Sequence, residues 1–141
     1  MRMMSAEIGV GGMKKLVIAG GLIAVALTLR GAGALAGPWE DGMAAYNRGD
    51  YLPAMKLFRP LAREGNPRAA ATIGAMYRKG QGVARSSAHA FMWLSIAAAR
   101  GDAVAKAEAQ EISRNMSAQE LAQAREMTLA CEASDYRNCE Y

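Results

Sequence analysis

The chain has 141 residues, 17 Lys+Arg against 13 Asp+Glu for a net charge of +4, one His, two Cys and ten Met, which is room for one domain. Only 6% of the residues are aromatic while 52% are hydrophobic, so the core must come from helices in close approach, and a β-sandwich or barrel is disfavoured. One His and two Cys cannot supply a closed zinc site, which excludes zinc fingers and His/Cys zinc enzymes.

The first element is a targeting segment. Lys14 and Lys15 precede Leu16 to Leu29, 14 residues without a charge, followed by Arg30 and the small residues Ala34 and Ala36. This is the order of a secretory signal peptide over residues 1–36, with cleavage after Ala36 leaving Gly37 as the new N-terminus. The apolar run is shorter than the ~20 residues that span a bilayer, so no stable membrane insertion is expected after cleavage. No Cys follows the run, which excludes a lipoprotein, and Met13 is an alternative start. Cleavage removes Arg2, Lys14, Lys15, Arg30 and Glu7, so the balance falls to 13 minus 12, or +1. A charge that small argues against nucleic acid as a partner.

Six helices follow, punctuated by Gly. The first runs from Trp39 to Arg48 and stops at Gly49; Asp50 caps the second, which tolerates Pro53 in its first turn and reaches Glu64 before Gly65. Pro67 opens a third through Lys79, ended by Gly80-Gln81-Gly82. That loop follows a helix and lacks the Lys-Ser/Thr of a phosphate-binding loop, so its glycines serve the turn and Val83 plugs between the helices it joins. Ser86 caps a fourth helix, Ser87 to Arg100, closed by Gly101. A fifth spans Asp102 to about Asn115, and Ser117 with Glu120 makes a capping box for a sixth, Ala118 to about Ala133.

Laying Gly65 on Gly101 reveals a 36-residue repeat: Asn66 falls on Asp102, Ala69 on Ala105, Ala54 on Ala90, Leu57 on Trp93 and Leu61-Ala62 on Ala97-Ala98. A period of that size in a helical chain predicts stacked helix hairpins, with Ala54, Ala69, Gly74, Ala90 and Ala98 at the close approaches.

The stretch Gly65 to Gly101 resembles a Sel1-like repeat, a relative of the tetratricopeptide repeat. The resemblance is carried by Gly65, Asn66, Ala69, Ile73, Gly74, Met76, Tyr77, Gly80, Gln81, Gly82, Val83, Ala90, Trp93, Ala97, Ala98 and Gly101. Ala44 to Tyr51, Ala54 and Phe58 to Ala62 look like the opening unit of such arrays, and Met116 to Leu121 resembles their closing helix. Ser86 stands where an acidic residue is usual and Leu94 where an aromatic is usual. The resemblance implies an all-α fold, a right-handed α-solenoid of antiparallel hairpins with about two and a half Sel1-like/TPR-like repeats over residues 37–133, in units 39–64, 65–101 and 102–133. It implies a protein or peptide bound on the inner surface, where Arg68, Thr72, Met76 and Lys79 are the candidate contacts, and neither a cofactor nor general catalytic machinery.

Cys131 and Cys139, with seven residues between them, fit a disulfide that pins the tail 134–141 in an oxidising compartment. Free thiols are the alternative, though the spacing matches no Cys-x-x-Cys exchange motif. Ser86 and His89 raise nucleophilic chemistry, but Ser86 is better explained as a cap and no Gly-x-Ser-x-Gly elbow is present. The expectation is therefore a non-enzymatic, monomeric scaffold of a Gram-negative cell envelope, periplasmic or secreted. The alternatives are an enzyme or β-lactam-binding protein of the cysteine-rich Sel1-like type, and a secreted factor that binds a host protein.

Overall fold

A computed structural model describes residues 36–139. Residues 1–35 of the expected targeting segment, including Ala34 of its expected cleavage site, lie outside the described residues, as do residues 140 and 141 of the tail. Six α-helices and no strand occur among the described residues: α1 (Pro38–Arg48), α2 (Tyr51–Arg63), α3 (Pro67–Lys79), α4 (Ser87–Ala99), α5 (Ala103–Arg114) and α6 (Ala118–Ala133). The helix bounds differ from the sequence reading by a residue at most.

One local pattern ends a helix and starts the next at three places. At Gly49-Asp50, Gly65-Asn66 and Gly101-Asp102 the second residue donates its N–H five residues back, to the carbonyls of Ala45, Leu61 and Ala97, while the Gly N–H reaches Tyr46, Ala62 and Ala98. These paired bonds satisfy carbonyls that a helix end otherwise leaves open. The residue after each Gly then caps the following helix: Asn66 accepts from the Ala69 N–H at 3.1 Å and Asp102 from the Ala105 N–H at 2.9 Å. Asp50 departs from this expectation, because its carboxylate takes the Arg48 Nε at 3.1 Å and makes no side-chain cap. Ser86 and Ser117 cap α4 and α6, and Glu120 closes the box by accepting from the Ser117 N–H at 2.8 Å.

Helix α4 is the centre of the unit. Ala90, Met92, Trp93, Leu94, Ile96 and Ala97 are all buried, a spread that covers most of its circumference, and it packs on α3, α5 and α6. Such a helix needs apolar residues all round, which is why its sequence carries no charge between Ser87 and Ala99. The closest approach is α3 on α4: a Cβ built on Gly74 would stand 2.8 Å from Leu94 Cγ and 3.2 Å from the Leu94 backbone N. On the other side, Phe58 of α2 lies where a Cβ on Gly42 would be, 2.6 Å from its ring, and Trp39 meets Phe58 at 5.3 Å between centroids.

The first two helix pairs, α1 with α2 and α3 with α4, pack as hairpins, and α2 packs on α3. The third pair differs: α6 lies on α4 instead of closing a packed hairpin with α5. Its two buried residues are Ala124 and Cys131, and a disulfide joins Cys131 to Cys139 with 4.6 Å between Cα atoms. The tail is held further by Arg100, whose guanidinium donates to the Ala62 carbonyl at the end of α2 and lies 4.2 Å from the Tyr136 ring centroid.

Candidate functional site

Helices α1, α3 and α5 contribute to one groove of about 250 Å³. Met43 and Tyr46 come from α1, Ala71, Thr72 and Ala75 from α3, and Asp102, Val104 and Glu108 from the start of α5, with Leu94 beneath. Small residues on α3 leave the space, and Val104, 68% exposed, supplies an apolar wall that no other element covers. Glu108 forms an ion pair with Arg78 at 3.7 Å, half-exposed on both sides and worth at most about 1 kcal/mol.

Of the four candidate contacts, Thr72 lines this groove; its hydroxyl donates to the Arg68 carbonyl at 2.8 Å. The Arg68 guanidinium instead sits 5.5 Å from the Trp39 ring centroid, and Lys79 is exposed at the end of α3. Met76 is corrected: it is wholly buried, one of the largest core side chains, and presents nothing to a surface ligand. Tyr46, Ala75, Val104 and Glu108 were missed as groove residues. Tyr46 had a readable signal, a large aromatic on the first helix of the first hairpin, while Val104 and Glu108 depended on how α5 stacks.

The Gly80-Gln81-Gly82 loop holds Tyr46, one of the groove's lining residues. Gln81 Oε1 accepts from the Tyr46 hydroxyl at 2.9 Å, and Gln81 Nε2 donates to the Tyr51 hydroxyl at 3.0 Å. Gly82 has φ +71, and a Cβ there would fall 2.9 to 3.1 Å from Tyr51 atoms, two of them backbone. The glycine thus lets the loop lie directly on the α1–α2 hairpin, and Gln81 fixes the two tyrosines that face it. Val83 is half-buried against the core.

A larger groove, about 690 Å³, is elsewhere, between the start of α4 and α6, walled by Ser86, His89, Met116, Glu120, Glu126 and Met127 among others. The His89 ring stacks on Tyr77 with 4.8 Å between centroids and 16° between planes, and its Nδ1 is 2.8 Å from Ser86 Oγ. The same hydroxyl oxygen accepts from the His89 N–H at 3.3 Å, so Ser86 acts as the cap of α4. The Glu120 carboxyl is held below its ordinary pKa, first by the Ser117 backbone N–H and then by the Ser117 hydroxyl, and it remains charged at the rim.

The architecture defines a class, an all-α array of packed helices, six among the described residues, with helix pairs stacked on one another. No helix among the described residues is long and apolar enough to cross a membrane. No family model matches the chain and no curated protein matches it in sequence.

Proposed function

We propose that the protein is an exported, non-enzymatic scaffold of a Gram-negative cell envelope, monomeric, periplasmic or secreted. It is built as a short right-handed α-solenoid of Sel1-like helix pairs and holds a protein or peptide across α1, α3 and α5. The observation that carries the reading is the groove itself, because the first helix of each unit contributes to one continuous surface. The 36-residue spacing supports the repeat: Asn66 and Asp102 cap α3 and α5 in the same way, and Ala54 with Ala90, and Ala69 with Ala105, are buried in equivalent places. Signal-like residues 1–36 and the Cys131–Cys139 bridge support export to an oxidising compartment.

The test is site-specific photo-crosslinking in the native envelope, with the reactive side chain at Thr72 or at Gln119, which is exposed and lines none of the grooves described. A discrete adduct from Thr72 and none from Gln119 is expected; the same adducts from both positions would refute a dedicated inner surface. A second reading, an enzyme or β-lactam-binding protein, rests on the 2.8 Å Ser86–His89 contact at the wall of the 690 Å³ groove. It requires acylation of Ser86 by a labelled β-lactam, and an unmodified Ser86 after prolonged exposure removes it.

A further inference from the structure

The departure of α6 from hairpin packing leaves a cleft between α5 and α6, floored by α4, of about 280 Å³. Phe91, Ala98 and Ala109 make an apolar lining, and Ser95, Gln110 and Ser113 add neutral polar groups. Lys106 stands on the α5 bank and Arg125 on the α6 bank.

Charge in this cleft is one-sided, although α5 and α6 carry acids. Glu108 faces the groove across α1, α3 and α5, where it pairs with Arg78; Glu111 lines a separate depression with Arg85; Glu120 and Glu126 wall the groove between α4 and α6. No acidic residue lines the cleft between Lys106 and Arg125, and among the described residues neither cation has an ion-pair partner. Two cations on opposite banks over an apolar floor complement an anion that carries an apolar group.

We propose that this cleft binds the C-terminal residue of a peptide, its free carboxylate between Lys106 and Arg125 and its apolar side chain on Phe91, Ala98 and Ala109. Size agrees, since the volume, just under that of a whole small-ligand site, takes one residue with its carboxylate while the chain runs out through the open cleft. Inorganic phosphate would meet the cations but leave the apolar floor unfilled. The site is separate from the groove across α1, α3 and α5 and stands or falls independently of it.

The experiment is an amide NMR titration of the full chain with acetyl-Ala-Ala-Leu bearing a free carboxylate, with the same peptide as its C-terminal amide, and with inorganic phosphate. Saturable shifts are expected around residues 91–98 and 106–113 with the acid. The amide should bind at least about tenfold more weakly, as loss of a charge-assisted hydrogen bond predicts. Lys106→Gln and Arg125→Gln should each weaken the acid and leave the weak amide binding unchanged; both side chains are exposed, so the fold survives either change. Equal affinity for acid and amide, phosphate binding as tightly as the peptide, or shifts that map outside the cleft would each overturn the proposal.

Discussion

Adding one methyl group at Gly74 tests whether α3 and α4 approach as closely as the core requires. The new Cβ would lie 2.8 Å from Leu94 Cγ, about 1 Å inside a comfortable carbon–carbon contact. Leu94 is 1% exposed, and its backbone N, 3.2 Å away, moves only if α4 moves. Overpacking of this kind costs about 1 to 3 kcal/mol. Replacing a mid-helix Gly by Ala returns about 0.8 to 1 kcal/mol of helix propensity, so Gly74→Ala should destabilise by a net ~1 kcal/mol. Leu94→Ala alone should cost about 2 to 5 kcal/mol. In that background the clash with Cγ is gone and the propensity gain remains, so Gly74→Ala should stabilise by up to ~1 kcal/mol. The change of sign implies a coupling near 2 kcal/mol, well above the ~0.5 kcal/mol scatter of independent sites. Urea unfolding of all four proteins, followed by helical ellipticity at constant m, measures it. Equal stabilisation by Gly74→Ala in both backgrounds would refute the close approach and with it the account of why this core is rich in Ala and Gly.

Other changes probe the caps, the loop and the tail. Reducing the Cys131–Cys139 bridge, or replacing both residues by Ser, opens a short loop and should lower unfolding free energy by about 2.5 kcal/mol in the chain-entropy treatment, measured by denaturant titration with and without reductant. Gly82→Ala must adopt a left-handed backbone and meet the Tyr51 backbone as well, so it should destabilise by about 2 kcal/mol or more. At Gly49, also left-handed but with open space around it, the same change should cost only about 1 kcal/mol; equal losses at the two sites would argue that Gly82 is not pressed on the first hairpin. The folded Glu120 carboxyl is depressed, so its stabilising contribution is present above the ordinary value of 4.5 and lost as pH falls through the lower folded value. Glu120→Gln keeps the capping geometry without the titration, so stability should fall less steeply below about pH 4.5 than in the parent; identical acid limbs would show that the box does not perturb this carboxyl.

The sequence made the helices legible because their ends are local chemistry. Gly49, Gly65, Gly80 and Gly101 each stop a helix through backbone bonds that span only a few residues, and Asn66, Ser86, Asp102 and Ser117 start helices through bonds three residues long. Asp50 has the same local credentials, but neighbouring Arg48 competes for its carboxylate and wins, which no positional preference encodes. The candidate site was less legible for a related reason. Thr72 and Met76 lie one turn apart on α3, yet one lines a groove and the other is wholly buried, because the division is set by where α2 and α4 pack on α3.

The course of α6 shows most clearly what lies beyond local pattern. Its capping box at Ser117 and Glu120 announces where it starts, but its apolar residues make no single strong stripe: Ala124 and Cys131 are buried while Leu129 is 66% exposed. A weakly amphipathic helix has little burial of its own to dictate a partner, so the partner is chosen by what the rest of the chain leaves uncovered. Here that is α4, apolar on nearly every side, and the disulfide tail fastens the outcome through Tyr136 and Arg100. Covering α4 with α6 separates α6 from α5 and opens the cleft in which Lys106 and Arg125 stand on opposite banks. Reducing the disulfide should therefore loosen α6 and weaken the proposed carboxylate binding in the cleft together, while the crosslinking expected from Thr72, on α3 in a separate groove, persists.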